Sequence, residues 1–347
     1  MITAFVEKDE GQISLLCTDN GRWARVCSIL GAAVWAGIAV AARFGFARIG
    51  GIEALLLFAP LVIVPLGMEL RRELTSPLVD NARDRGTLIH LIARGVQPFA
   101  AACAVVALLL PPGRLAGALA GGWMLVCALM GAAGIFDVWS SWLNARSRLF
   151  YLTLFLAGMD LVVGGVWLVA SRLGMRPLGI QEPIGSLTAV HFHYAGFATA
   201  MIAAAMLRFS QGRARERWLK WIVPFVIGMP YVVALGFVVS PRLKVVAAAG
   251  LSFSVAALAI LLRSCGRRTE KSAARVLLQI AAASVFAAMV LSSIYAIADF
   301  LGSDVLTLPQ MARTHGVLNA MGFCMAGLLG WIVEFENPPG HAGTRRL

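Results

Sequence analysis

Leu115–Phe136 reads LAGALAGGWMLVCALMGAAGIF, without one charged residue. At about 1.5 Å of rise per residue, a helix of that length crosses a hydrocarbon core of ~30 Å. Nine more stretches share its character, roughly 24–42, 49–68, 88–110, 150–171, 185–207, 218–239, 245–262, 276–300 and 314–334. The reading is therefore all-α, a polytopic transmembrane bundle of about ten spans. The second stretch contains Pro60 and Pro65, and the third contains Arg94, Gln97 and Pro98. Connections are short. The longest, 69–87 (ELRRELTSPLVDNARDRGT), is polar and too small for a domain. The expected layout is a cytoplasmic tail over 1–23, one membrane domain over 24–334 and a second cytoplasmic tail over 335–347.

Composition agrees. Of 347 residues 59% are hydrophobic and 14% charged, against about 25% charged in soluble domains. Mean hydropathy is +0.79. Too few polar side chains exist to cover a water-soluble globule, which excludes a soluble enzyme and a disordered protein. Thirty Lys and Arg against eighteen Asp and Glu give a net charge of +12. That excess is a topology signal. Twenty-one of the thirty fall on one side of the ten spans, eight on the other, and Arg94 lies within a span. Cytoplasmic loops carry the excess of Lys and Arg, so both termini are expected in the cytoplasm. A basic inner face attracts anionic membrane lipid, and no nucleic-acid partner is expected.

The first 23 residues mix acids and bases (Glu7, Lys8, Asp9, Glu10, Asp19, Arg22) and lack the apolar core of a secretory signal. The six cysteines are scattered without a C-x-x-C pair, which disfavours a disulfide framework or a cysteine-based zinc site. No P-loop, H-E-x-x-H or nucleophile-elbow pattern occurs.

Polar side chains inside spans are costly and usually face the bundle interior, so their inventory marks the working site. Span five carries Asp160 near its middle. Span six opens with LTAVHFHYAGF (187–197), span nine ends with Ser292, Tyr295 and Asp299, and span ten opens with Thr314, His315 and Asn319. With the N-terminus inside, spans six and ten run inward and span nine outward. His191, His193, Tyr194, Tyr295, Asp299, His315 and Asn319 are then expected at one depth, in the outer part of the bilayer. Helical spacing groups them into stripes: His191–Tyr194–Ala195–Ala198, Ser284–Ala288–Ser292–Tyr295–Asp299, His315–Asn319–Gly322–Ala326 and Thr153–Ala157–Asp160–Gly164–Trp167. His191 and His193, two apart, point to opposite sides of a regular helix. A distortion near Pro183 and Gly185 would bring them to one centre; otherwise His193 belongs to a neighbouring helix contact.

Blander roles stand beside these. An intramembrane His can simply bond helices together, Asp160 can clasp a Tyr or Trp, and Asp299 and Tyr295 can be interfacial. Glu69 and Asp137 read as surface charges at cytoplasmic span ends, Arg94 as snorkelling to that interface, and His90 as lying near it.

The segments LTAVHFHYAGF and MARTHGVLNAMGF (311–323), with LVIVPLGM (61–68) and VWLVASRL (166–173), resemble the YndJ-like family of bacterial polytopic membrane proteins. The resemblance covers residues 25–335. It implies a helical protein of the bacterial cytoplasmic membrane and marks His191, His193, Tyr194, His315 and Asn319 as family-typical. It implies no mechanism.

Three functions remain open. One is a membrane-embedded enzyme: His191, Tyr194, His315, Asn319 and Asp299 would be the acid–base set, acting on a small or lipophilic substrate, with Asp160, His193 and Tyr295 in substrate binding or proton relay. In a variant, His191, His193 and His315 hold a metal or haem beside Asp299, without a recognised metal spacing. Another is a proton- or cation-coupled carrier using Asp160. The last is an accessory or sensor protein. The topology is open to a simple test. Reporter fusions after residues 110 and 180 are expected to read outside, and those after 80, 212 and 347 inside; an extracytoplasmic C-terminus would overturn the placement.

Overall fold

The computed structural model describes residues 22–75, 85–141, 148–303 and 305–336. Among these are ten helices long and apolar enough to cross a membrane: α1 (Arg22–Arg43), α2 (Gly51–Thr75), α3 (Arg85–Leu109), α4 (Arg114–Ser141), α5 (Arg148–Leu173), α6 (Ile184–Phe209), α7 (Glu216–Val239), α8 (Pro241–Gly266), α9 (Ser272–Phe300) and α10 (Leu308–Phe335). Each coincides with one of the ten expected spans. The fold is a polytopic helical bundle. Its end with fewer basic residues is called outer, the other inner.

Three helices are irregular, and they are the central ones. In α2 the turn widens to π geometry over Ala59–Ile63, in α6 over Phe192–Ala198, and in α10 over Ala312–Gly316 and Leu318–Met325. α2, α6 and α10 run in the same direction, and their π segments touch one another. α6 is the most enclosed span, with 89% of its hydrophobic window buried. Around this trio, α3–α4–α5 form one antiparallel layer and α7–α8–α9 another, while α1 lies against α2 and α9 against α10. Close packing of α4 on α5 depends on small residues. A Cβ at Gly158 would stand 2.6 Å from the Met130 carbonyl oxygen, so the two backbones meet where only glycine fits.

The cause of the break in α2 is legible in its prolines. Val64 N–H bonds back five residues to the Ala59 carbonyl. In that register Pro65 would bond to the Pro60 carbonyl, but proline has no N–H to give. Gln97 of α3 supplies the missing donor, its Nε2 lying 2.7 Å from the Pro60 oxygen. Gly31 of α1 packs directly on the neighbouring Leu61 carbonyl. In α6 the hydroxyl of Thr199 donates to the Tyr194 carbonyl five residues back, at 2.9 Å. Gln97 thus replaces a backbone donor that the widened turn of α2 lacks, and the Thr199 hydroxyl adds to the backbone N–H that already reaches the Tyr194 carbonyl.

The outer starts of the helices are fixed locally. Thr307 and Gln310 form a capping box at the start of α10. Glu182 accepts from the Ser186 amide at 3.1 Å and so caps α6. Burial pushes the Glu182 carboxyl up, but hydrogen bonds from Ser171 and Ser186 and the nearby Arg172 guanidinium outweigh it and hold it below the usual carboxylate range.

The inner end departs from expectation. Glu69 and Asp137 are not surface charges: Glu69 is 1% exposed and Asp137 6%. Glu69 accepts from Arg72 at 2.5 Å and from Arg94 at 3.1 Å, and Asp137 pairs with buried Arg71. Arg94 does not snorkel; it is buried, with its guanidinium 4.6 Å from the Trp23 ring centre. His90 is buried too, 3.1 Å from the Met68 carbonyl. The physical reason is that α2 continues to Thr75, past the end of its apolar run near residue 68. It carries Glu69, Arg71 and Arg72 in among neighbouring helices, where each finds an opposite charge.

Because Gln97 is 2% exposed, replacing it by leucine strips the Pro60 carbonyl of its donor in a dry interior. Gln97→Leu is expected to destabilise the purified protein by about 1–3 kcal/mol, read as a lower melting temperature in detergent. Phe99→Leu, at a 75% exposed position on the same helix, is expected to leave it unchanged.

Candidate functional site

Neutral imidazole carries one N–H and one lone pair, and a carbonyl can only accept. That rule assigns the histidines. His191 Nδ1 stands 2.8 Å from the Leu187 carbonyl, so Nδ1 donates and Nε2 keeps its lone pair. Among the described residues no hydrogen bond to that Nε2 is found. His191 presents exposed surface in the first half of α6.

His315 follows the same pattern from α10. Its Nδ1 donates to the Ala288 carbonyl of α9 at 2.9 Å, and its Nε2 accepts from the Asn319 amide at 3.0 Å. His191 lies close enough to His315 for the two rings to interact electrostatically, which places them in one neighbourhood. Both are partly accessible, as is Asn319. α6 and α10 thus each bring a tautomer-fixed histidine to one neighbourhood, His191 with Nε2 left without a partner among the described residues and His315 with Nε2 taken by Asn319.

Tyr194 is buried, unlike His191 and His315. It is 5% exposed, and its hydroxyl donates to the Leu55 carbonyl of α2 at 2.7 Å. Cys324 of α10 donates to the Tyr194 carbonyl from 3.9 Å. Tyr194 therefore ties α6 to α2 and α10, and its hydroxyl proton is already engaged.

His193 points elsewhere. It is fully buried, with Nδ1 donating to the Ala189 carbonyl at 2.8 Å and Nε2 accepting from the Trp123 indole at 3.0 Å. Since an indole N–H only donates, both ring nitrogens are occupied. A Cβ at Gly164 of α5 would lie 2.6 Å from His193 Nδ1, so that glycine makes room for the ring. Helix distortion does occur in α6, but it begins at Phe192 rather than at Pro183 or Gly185. It leaves His193 in the contact with α4 and α5, away from His191. The candidate metal set His191, His193 and His315 is not brought together. Among the described residues no three His, Cys, Asp or Glu side chains are grouped as metal ligands.

Asp160 belongs to this second, buried layer. It is 0% exposed in mid-α5, against Gly196 of α6, where a Cβ would stand 2.6 Å from its carboxyl carbon. The Tyr231 hydroxyl of α7 faces the carboxyl. Neither group completes a hydrogen bond of good geometry among the described residues. Asp160 thus faces helices, not lipid, and Tyr231 is a neighbour that sequence spacing does not reveal.

Asp299 and Tyr295 are placed apart from the histidines. His315 touches α9 at Ala288, and Asp299 lies eleven residues further along that helix, roughly 16 Å at helical rise. Asp299 is largely exposed and pairs with Lys244 of α8 at 2.8 Å. Of the residues expected at one depth, His191, His315 and Asn319 are brought near one another, whereas Asp299 stands apart with Lys244. The groups that position the pair, the Leu187 and Ala288 carbonyls, are main chain and carry no residue-type signal. Trp123, Gly164 and Gly196 stand out only once the helix pairing is in hand.

Comparison with known proteins places this arrangement in a family. Residues 54–323, more than half of the chain, match the family described as YndJ-like protein. This region holds both histidine segments and reaches all three broken helices. Over 244 residues the chain is 27% identical to the "Uncharacterized membrane protein YndJ" of Bacillus subtilis (strain 168), covering 70% of this chain and 42% of that protein. The chain thus spans less than half the length of the curated relative it matches. No solved structure matches it. It is a polytopic membrane protein, and it belongs to the YndJ-like family.

Proposed function

We propose that this protein is a membrane-embedded enzyme of the bacterial cytoplasmic membrane whose outer cavity performs acid–base chemistry on a small or lipophilic substrate. The observation that carries the reading is the Nε2 of His191, left without a hydrogen bond among the described residues while Nδ1 is held by Leu187, in the neighbourhood of His315. An imidazole fixed in one tautomer with its second nitrogen accessible is the form a general base needs. His191 would take the substrate's proton. His315, both of whose ring nitrogens are engaged by Ala288 and Asn319, would hold the Asn319 amide in place, and that amide could turn its other N–H toward a substrate oxygen. His191 borders the π segment of α6 and His315 lies within one of α10, and irregular helix of this kind recurs at functional sites. Tyr194 would position α6 and take no part in proton transfer.

Asp160 supports a second reading, proton- or cation-coupled transport. A carboxyl at mid-bilayer with neither oxygen in a good hydrogen bond is where a carrier would load its ion.

The two readings separate experimentally. Lipid and small-molecule profiles would be compared between membranes carrying wild type, His191→Ala and His315→Ala, each confirmed monodisperse after purification. The enzyme reading expects a product pool that falls by about a hundredfold or more in both variants, the contribution of a general acid–base group. Identical profiles would refute it. If instead activity and stability fall together and shape-matched apolar residues restore both, the histidines are structural. Transport predicts solute flux in proteoliposomes that Asp160→Asn abolishes while His191→Ala leaves it intact.

A further inference from the structure

The inner turn between α6 and α7 reads QGRARERWLKW from Gln211 to Trp221. It forms a groove of about 780 Å³ lined by Gly212, Arg213, Glu216, Arg217, Lys220 and Trp221. Three cations thus face one acid. Glu216 is already engaged, accepting from the Gly212 amide at 2.7 Å and pairing with Lys220 at 2.7 Å. Arg215 turns away and donates to Ser264 of α8 at 3.0 Å. Arg213, Arg217 and Lys220 remain exposed. The Arg213 guanidinium rests 4.5 Å from the Phe209 ring centre, and that of Arg217 is 5.5 Å from that of Trp218.

Directly below, the same side of α7 is apolar and uncovered. Trp221 is 69% exposed and Phe225, one turn deeper, 54%. A cationic groove at the helix end thus continues into an aromatic strip pointing at hydrocarbon. A soluble anion would use only the upper part, whereas a phospholipid would use both at once: phosphate among the cations and acyl chains along Trp221 and Phe225. Aromatic rings at this level suit the interface, and basic clusters there attract anionic headgroups.

We propose that this groove is a binding site for one anionic phospholipid, independent of the histidine cavity. Native mass spectrometry of the full chain in detergent would test it, titrating phosphatidylglycerol against phosphatidylcholine with the same acyl chains. Wild type is expected to retain one phosphatidylglycerol in preference to phosphatidylcholine. Each of Arg213→Gln, Arg217→Gln and Lys220→Gln is expected to weaken that binding about fivefold, with the melting temperature in lipid-free detergent unchanged. Trp221→Ala with Phe225→Ala is expected to weaken both lipids. Arg267→Gln with Arg268→Gln, exposed cations at the next inner turn, is expected to have no effect. The proposal is overturned if this control weakens binding as much as the groove variants. It is also overturned if free glycerol phosphate displaces the lipid at equal concentration while the Trp221/Phe225 variant binds normally, the result for a soluble phosphate site.

Discussion

Inside hydrocarbon, a backbone carbonyl that loses its helical donor has no water to turn to. The centre of this protein is organised around that constraint. α2, α6 and α10 each widen to π geometry, Gln97 supplies the donor that the Pro60 carbonyl lacks, and two further side chains reach main-chain carbonyls of a neighbouring helix, Tyr194 on Leu55 and Cys324 on Tyr194. Each such bond crosses from one helix to another. Irregularity in the three central helices and their attachment to the bundle are therefore the same set of contacts.

The histidines draw on the same resource. His191 and His193 each take the carbonyl four residues back, at the edge of the π segment of α6. His315 takes a carbonyl of α9. Backbone anchoring fixes every tautomer and sorts the three rings: the Nε2 of His193 is taken by Trp123 and that of His315 by Asn319, while that of His191 is left without a partner among the described residues. At the opposite end the polar groups are charged, and Glu69, Arg71, Arg72, Arg94 and Asp137 close the inner side of the bundle with paired charges. Breaking such a pair leaves a buried charge uncompensated. The bundle thus has a polar, partly open outer end and an ion-paired inner end, and Asp160 lies between them.

Span number and position are legible in hydropathy because lipid imposes a length of apolar sequence that cannot be disguised. His191, His315 and Asn319 are legible because lipid penalises an unpaired polar group, so three of them at one depth of two parallel helices turn inward together. What sequence hides depends on pairing and register. A π turn carries no composition of its own, so spacing alone does not sort His191 from His193. Glu69 and Asp137 look like interfacial charges because an apolar run ends where charge begins, whereas the helix itself continues inward. Asp299 shares the polar stripe of α9 but stands too far along it to meet His315, and Lys244 occupies it instead. The carbonyl partners Leu55, Leu187 and Ala288 have no side-chain signature at all.

α2 and α10 come together where Gly51 meets Ala312, at the edge of the π segment that carries His315, and cross-linking in native membranes would detect that contact. A Cβ built at Gly51 stands 4.0 Å from the Cβ of Ala312, within the separation a disulfide spans. Gly51→Cys with Ala312→Cys would be combined, with the six native cysteines replaced and a protease site placed between α2 and α3. Mild oxidation is expected to keep the two cleaved fragments joined until a reductant is added. Fragments that separate without reductant, while the uncleaved protein remains folded, would show that α2 and α10 do not meet there.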